Sequence, residues 1–273
     1  VSIDGVRRMV NASLLADNRL ARAQLGSADT IASFHAALED AIGTATQAGS
    51  LGNLLTAFDA AVVSAAARPD SDTRLSAVLD TAQTLAQKIN SIANTIQSAR
   101  TSAEQTIAND VARLNSALDQ VTSLNKQIAS LTAQGKDASS MMDSRQAVID
   151  GISEIVPIRQ VPRDHGQVAL FTTGGAVLLD GTAPARIGFS RADPVTVGMS
   201  LAAGTLSNLT FNDSQLTSFQ QAAMFSGGTL GANFAIRDDV APEYQRQIDA
   251  YARDLYDRVS SPDVDTTLPI GGP

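Results

Sequence analysis

The sequence predicts a mainly α protein with an inserted β segment (α+β). Its expected form is an elongated antiparallel helical bundle with one long spine helix and a small antiparallel β region. Three observations carry this. From Asp72 the chain runs without Gly or Pro until Gly135 and holds a heptad-like apolar seam throughout. The apolar period changes from 3.6 to 2 after Pro157 and returns to 3.6 after Gly227-Gly228. Ala supplies 44 of the 273 residues, whereas aromatics total 11, few for a chain that must line an apolar pocket.

The first helix is expected from Arg7 to about Ala41, with Val10, Leu14, Ala21, Leu25, Ala28, Ile31, Phe34 and Leu38 at helical spacing and Gly43 as its stop. A second runs from Leu51 to Ala67, with Leu54, Leu55, Phe58, Val62 and Ala65 on one face. Arg68-Pro69-Asp70 ends it, because the residue before proline is pushed out of the α region. The third starts near Asp72 or Thr73, both good N-caps. Its seam reads Leu75, Val78, Ala82, Leu85, Ile89, Ile92, Ile96 and Ala99, in alternating threes and fours. It then steps by four through Ala103, Ile107 and Val111 before resuming at Leu114, Leu118, Val121, Ile128 and Leu131. That one-residue slip relaxes a left-handed supercoil locally. About 60 helical residues make a rod of roughly 90 Å, hence the expectation of a spine. A fourth helix, Ser139 to Ile155, carries Met142, Val148, Ile149 and Ile152.

Strand patterning follows. Ile158 and Val161 lead to a turn at Asp164-His165-Gly166, then Val168–Phe171 reads as a strand. Gly174-Gly175 turns the chain, and Val177–Leu179 runs into Asp180-Gly181, a hairpin signal. Short strands are expected at Ala185–Phe189, Val195–Val197 and Leu206–Phe211. The returning helix aligns Ile236, Val240, Tyr244, Ile248, Tyr251, Leu255 and Val259, and Pro242 must either kink it or open its main part. The organisation expected is a helical rod over 1–156, a β-rich insert over 157–226, a helix returning to the rod over 227–259, and a loop tail over 260–273.

Composition narrows the function. Twenty basic residues against 28 acidic give a net charge of -8, which argues against nucleic-acid and anionic-membrane surfaces. No apolar run reaches the roughly 18–20 residues of a transmembrane helix, and no signal-peptide pattern opens the chain. The first residue is Val1, so a processed chain or an excised fragment is expected. With no Cys, disulfides, thiol nucleophiles and thiolate metal sites are excluded.

Imidazole comes only from His35 and His165. His35 sits one turn from Ile31 and reads as helix-face packing. Asp164-His165 could be half of a catalytic dyad, but the following Gly and flanking strands favour a turn, and no G-x-S-x-G elbow accompanies it. Gly227-Gly228-Thr229-Leu230-Gly231 resembles a phosphate cradle without the Gly-Lys-Ser/Thr ending, so it reads as a return into helix. Asp238, Asp239, Asp249, Asp254 and Asp257 interleave with Arg237, Arg246, Arg253 and Arg258, a solvated face with i,i+4 pairs rather than a cation site. Three Asn-x-Ser/Thr triplets, at Asn11, Asn208 and Asn212, are frequent by chance and carry no weight. Catalytic, cofactor-binding and metal residues are therefore expected to be none, with no cofactor and no enzyme activity.

Four stretches taken in order resemble the FlgK family of flagellar hook-associated proteins. They are Leu54-Leu55-Thr56-Ala57-Phe58 through Ala67-Arg68-Pro69 to Arg74 and Val78-Leu79; Met142-Asp143-Ser144-Arg145 through Ile149, Ile152, Ile155 and Val156; His165-Gly166-Gln167-Val168, Gly174-Gly175 and Leu178-Leu179-Asp180-Gly181; and Gly228-Thr229-Leu230-Gly231 with Arg237-Asp238, Pro242, Tyr244, Ile248 and Leu255. The resemblance spans Arg7 to Val259. Gln146 departs from the family's Asp-x-Arg-Asp pattern, and the family's terminal heptad segments, including an Asn-Ile-Ala-Asn-like stretch, have no counterpart within Val1–Pro273. That fits a middle portion. The resemblance implies a structural protein at the junction of hook and filament, exported without a cleavable signal peptide to the extracellular flagellum. It implies self-assembly of the full-length protein, contacts with hook protein and a second junction protein, and an export chaperone acting through the terminal segments, with no nucleic acid and no membrane. Flagellin or the second junction protein is the alternative. A chemoreceptor-type signalling rod would need membrane spans and paired Glu/Gln methylation sites, and the chain has only four Glu.

Overall fold

In the computed structural model, residues 11–260 are described. The expected helical start at Arg7 and Val10 and the tail over 261–273 lie outside them. Seven α-helices follow in order among the described residues: α1 Ala12–Ile42, α2 Leu51–Ala66, α3 Asp72–Ala133, α4 Ser139–Ile155, α5 Ser218–Phe225, α6 Gly228–Ala235 and α7 Ala241–Val259. Between α4 and α5 lie β1 Ile158–Pro162, β2 Val168–Thr172, β3 Val177–Asp180, β4 Ala183–Pro184, β5 Ile187–Gly188, β6 Thr210–Phe211 and β7 Ser214–Gln215. The chain divides into two compact units, one from residues up to Ala32 with Thr101–Ala235, the other from Ser33–Arg100 with residues from Ile236 onward.

The helix boundaries follow local chemistry. Gly43, at φ 81°, ends α1, and Ser50 opens α2 by accepting the Asn53 N–H on its Oγ at 3.2 Å. α3 stops before Gly135, at φ 65°. Pro242 lies in the first turn of α7, where a missing N–H costs nothing, and a π-helical turn over Ile236–Val240 joins α7 to α6. Proline thus opens the main part of that helix.

The buried side of α3 follows the expected seam through Leu85, Ile92, Ile96, Ala103, Ile107, Val111, Leu114, Leu118, Val121 and Ile128. Leu75, at its start, is exposed. The first half of the face expected for α1 is corrected: Leu14 and Leu25 are 65% and 60% exposed, and Arg19 and Ala23 are buried there instead, whereas Phe34 and Leu38 are buried as expected. Gly26 lies on that side, where a Cβ would make ordinary contact with Thr229 Cγ2 at 3.4 Å and with the Glu154 carbonyl of α4 at 3.6 Å. Arg19 can go inside because Asp150 and Gln160 receive it.

β1 to β4 form one antiparallel sheet in sequence order, with Ile158 opposite Thr172 and Pro162 opposite Val168. β5, β6 and β7 form a second, smaller one. Three expectations here are corrected. Ala185–Phe189 narrows to β5, because Arg186 gives its N–H to the Asn212 side chain rather than to a strand. Val195–Val197 is not a strand: Val195 is buried singly, and Thr196 and Met199 close a turn behind it. Leu206–Phe211 pairs only at Thr210–Phe211, while Leu206 and Leu209 are buried plugs. Helix also returns before Gly227, as α5. Its capping box, Thr217 with Gln220, satisfies two end groups reciprocally.

Each unit has its own apolar core. In the first, Ile107, Leu114 and Leu118 of α3 meet Ile149 and Ile152 of α4, Leu170 and Leu178 of the sheet, and Phe225 and Leu230 of α5 and α6. In the second, Phe34, Leu38, Leu85, Ile92, Ile96 and Ile248 are buried. Each fully buried Ile or Leu contributes roughly 1.5–3 kcal/mol.

Candidate functional site

The side chains that organise the first unit are polar residues placed on the buried face of α3. Helix backbone has no free hydrogen-bonding edge to offer a strand, so a helix can bond to a sheet only through side chains. Asn125, 0% exposed, does this with a full amide. Its Nδ2 donates to the carbonyls of Val168 at 2.9 Å and Gly181 at 2.7 Å. Its Oδ1 accepts the Val168 N–H at 3.2 Å and Arg145 Nη1 at 2.8 Å. Arg145, buried on α4, also donates to the Gly166 carbonyl at 2.8 Å.

Asn115 repeats the device one sheet further on. Its Nδ2 donates to the Ile187 carbonyl at 2.7 Å, and its Oδ1 accepts the Ile187 N–H at 3.1 Å. Glu104, fully buried, accepts the Ala192 N–H at 2.7 Å. Asp110 accepts the Thr229 hydroxyl at 2.6 Å and lies 3.3 Å from Arg113. Burial raises the Asp110 carboxyl above its ordinary value, against the lowering effects of Thr229 and Arg113. On α1, Arg19 donates to Asp150 and to Gln160, each at 2.8 Å, and Gln146 donates to the same Asp150 oxygen at 3.0 Å. Gln146, the departure from the family pattern, thus supports the carboxylate that receives Arg19.

The second unit has a comparable tie. Arg237, fully buried, makes a two-pronged ion pair with neighbouring Asp238, at 2.7 and 2.8 Å. Its carbonyl accepts Arg100 Nε at 3.0 Å. Gln97 donates to Gln245, and Gln245 to Asp249.

His35 is half-buried, edge-on to the rings of Phe34 and Tyr244 at 5.6 Å, with Nδ1 3.3 Å from the Tyr244 hydroxyl. His165 is exposed in a 3-10 turn over Asp164–Gly166, at φ 55°. Gly227 and Gly228 both have positive φ, and Gly228 packs directly on the Ile155 carbonyl with no room for a Cβ. Of the acidic and basic run, Asp254 and Arg258 form the expected i,i+4 pair at 2.9 Å, but Arg237 is corrected from solvated to buried. Among the described residues, no group of three His, Asp or Glu is placed to hold a metal ion, and no helix is long and apolar enough to cross a membrane.

Motifs far apart in sequence therefore meet at Asn125: the Arg145 motif of α4, the His165-Gly166-Gln167-Val168 turn and the Asp180-Gly181 hairpin. Asn125 itself had no sequence signal beyond a polar residue inside an apolar period. The arrangement locks backbone to backbone.

Residues 36–262 match the family model described as "Flagellar hook-associated protein FlgK helical domain". Flagellar hook-associated protein 1 of Bacillus subtilis (strain 168) is 26% identical over 162 residues, which is 59% of this chain and 32% of that relative. The solved structure of the flagellar hook junction protein FlgK from Burkholderia pseudomallei is similar in fold, with a TM-score of 0.69 at 19% identity, over 89% of this chain and 43% of that one. The chain thus spans about a third of the first relative and less than half of the second.

Proposed function

Since the chain belongs to the FlgK helical domain family of flagellar hook-associated proteins, we propose that it is a structural segment of a hook-filament junction protein of the bacterial flagellum and not an enzyme. The family match over 36–262 carries this reading, and it favours this family over flagellin, the second junction protein and a signalling rod. The polar ties support it: Asn125, Arg145 and Asn115 direct their bonds at backbone groups of the fold itself. The segments 11–156 and 227–259 form its helical part and 157–226 its β-rich part. The full-length protein self-assembles and meets hook protein on one side and a second junction protein on the other. It reaches the flagellum by the flagellar export route, with a chaperone bound at terminal segments.

Gold labelling of the full-length protein on flagella from its own cells tests this. Label is expected in one narrow band at the base of each filament. Label along the filament, or only inside the cell, would overturn the reading.

A further inference from the structure

In the unit that contains Ser33–Arg100 and the residues from Ile236 onward, Pro242 withholds one backbone N–H. In the first turn of α7 that N–H is not needed, but the turn before α7 is itself helical and has carbonyls to satisfy. Which carbonyl loses its donor depends on the winding. In an α-helix it is the one four residues back, on Asp238; in a π turn, whose bonds span five residues, it is that of Arg237. The turn over Ile236–Val240 is π-helical, so Arg237 is the residue left short. It is also fully buried, out of reach of bulk water, where a carbonyl without a donor costs stability.

The donor arrives from α3. Arg100, itself buried, places Nε 3.0 Å from the Arg237 carbonyl. A charged N–H makes a stronger bond to a carbonyl than a peptide N–H does. The same guanidinium reaches past the proline. Its Nη1 donates to Gln97 at 3.3 Å, Gln97 donates to Gln245 at 3.1 Å, and Gln245 to Asp249 at 2.8 Å. One side chain thus bonds the backbone before Pro242 and, through Gln97, is linked to a buried residue after it. A slip of α7 by one residue would turn Gln245 about 100° away from Gln97.

We propose that Arg100 acts as the missing N–H of Pro242, so that the π turn is a two-part conformational device: the proline opens it and the arginine closes it. The Arg100 bond is needed because of the proline. With an N–H restored at position 242, the Arg237 carbonyl has a backbone donor again and no longer depends on α3.

A double-mutant cycle on the full chain, read as melting midpoints, tests this. Arg100→Met keeps an apolar stem and removes the donors, and Pro242→Ala restores the N–H. Arg100→Met should lower the midpoint at least about twice as far in the wild-type background as in the Pro242→Ala background. A smaller ratio would overturn the proposal, because the arginine would then be held for reasons unrelated to the proline. If Arg100→Met alone does not fold, adding Pro242→Ala should restore a cooperative melt, and a double variant that stays unfolded would also overturn it. Amide exchange gives a second reading. A first-turn N–H of a helix is ordinarily unprotected. In the double variant the new amide at position 242 should instead be protected about a hundredfold or more, since it bonds the Arg237 carbonyl. Fast exchange there would show that this carbonyl takes no backbone donor, and the device would not exist.

Discussion

Asn125 holds Val168 by both sides of its peptide, donating to the carbonyl at 2.9 Å and accepting the N–H at 3.2 Å. A side-chain amide offers the same donor and acceptor as a backbone peptide, so α3 takes the place of a neighbouring strand at the first residue of β2. The same side chain reaches Gly181 and Arg145, so one residue fixes a turn, a hairpin and a helix.

Removing that amide should be costly. Asn125→Ala leaves the Val168 peptide, the Gly181 carbonyl and part of Arg145 buried without their partner, and should lower stability by about 3 kcal/mol or more. Asn125→Asp is near in size but places an oxygen against two carbonyls, and should lose a similar amount. Denaturant midpoints check both, and an Asp variant within about 1 kcal/mol of wild type would refute the assigned amide orientation.

Asp110 should make stability depend on pH. Burial raises its folded pKa above the ordinary 3.8, so the neutral acid is the form the fold prefers. Its contribution is fully present below that ordinary value and is lost as pH rises through the raised one. Asp110→Asn keeps an oxygen for the Thr229 hydroxyl and cannot ionise. The stability of wild type minus that of Asp110→Asn should therefore fall between pH 3.5 and pH 7. A difference that stays constant across that range would contradict this.

Two glycines should respond in opposite directions to alanine. Gly228 has a φ of 63° and would drive a Cβ into the Ile155 carbonyl, so Gly228→Ala should cost about 2 kcal/mol or more. Gly151 lies inside α4 with open space around its Cβ position, and Gly151→Ala should stabilise by about 0.5–1 kcal/mol. Thermal melts of the two variants give the signs directly.

Ile107 is fully buried where the α3 seam changes step. Ile107→Asp should destabilise by several kcal/mol, about 3–5, because a carboxylate there finds no aqueous partner. An unchanged melting midpoint would place that face in solvent.

The helices were legible because their ends are written in backbone chemistry. Gly43, Pro69 and Gly135 stop them, and the Leu85-to-Ile128 seam repeats long enough to fix a face. In α1 the buried half at Phe34 and Leu38 is legible, but Leu14 and Leu25 have helical spacing and sit on the outer side, while a buried Arg19 looks like a surface residue until Asp150 and Gln160 are beside it. The strong hairpin around Asp180-Gly181 was readable from its turn; β4 to β7 are two residues each, too short for any period to show. α5 had a usable signal in Thr217-Ser218-Phe219-Gln220 that its eight residues were too brief to support. The polar ties were invisible for a different reason. Asn125 interrupts the apolar seam between Val121 and Ile128 while Asn115 and Glu104 stand beside it, and only the strand or loop carried to each of them from far along the chain explains their burial.

The claim that Asn125 and Arg145 act as one tie between α3, α4 and the β2 turn is tested most directly by a double-mutant cycle. Stability is measured for wild type, Asn125→Ala, Arg145→Met and the double variant. Because the 2.8 Å bond between them is buried and shares its partners, the coupling should be about 1.5 kcal/mol or larger. Losses that add within about 0.5 kcal/mol would mean that the two side chains stabilise the fold independently, and the tie would not exist.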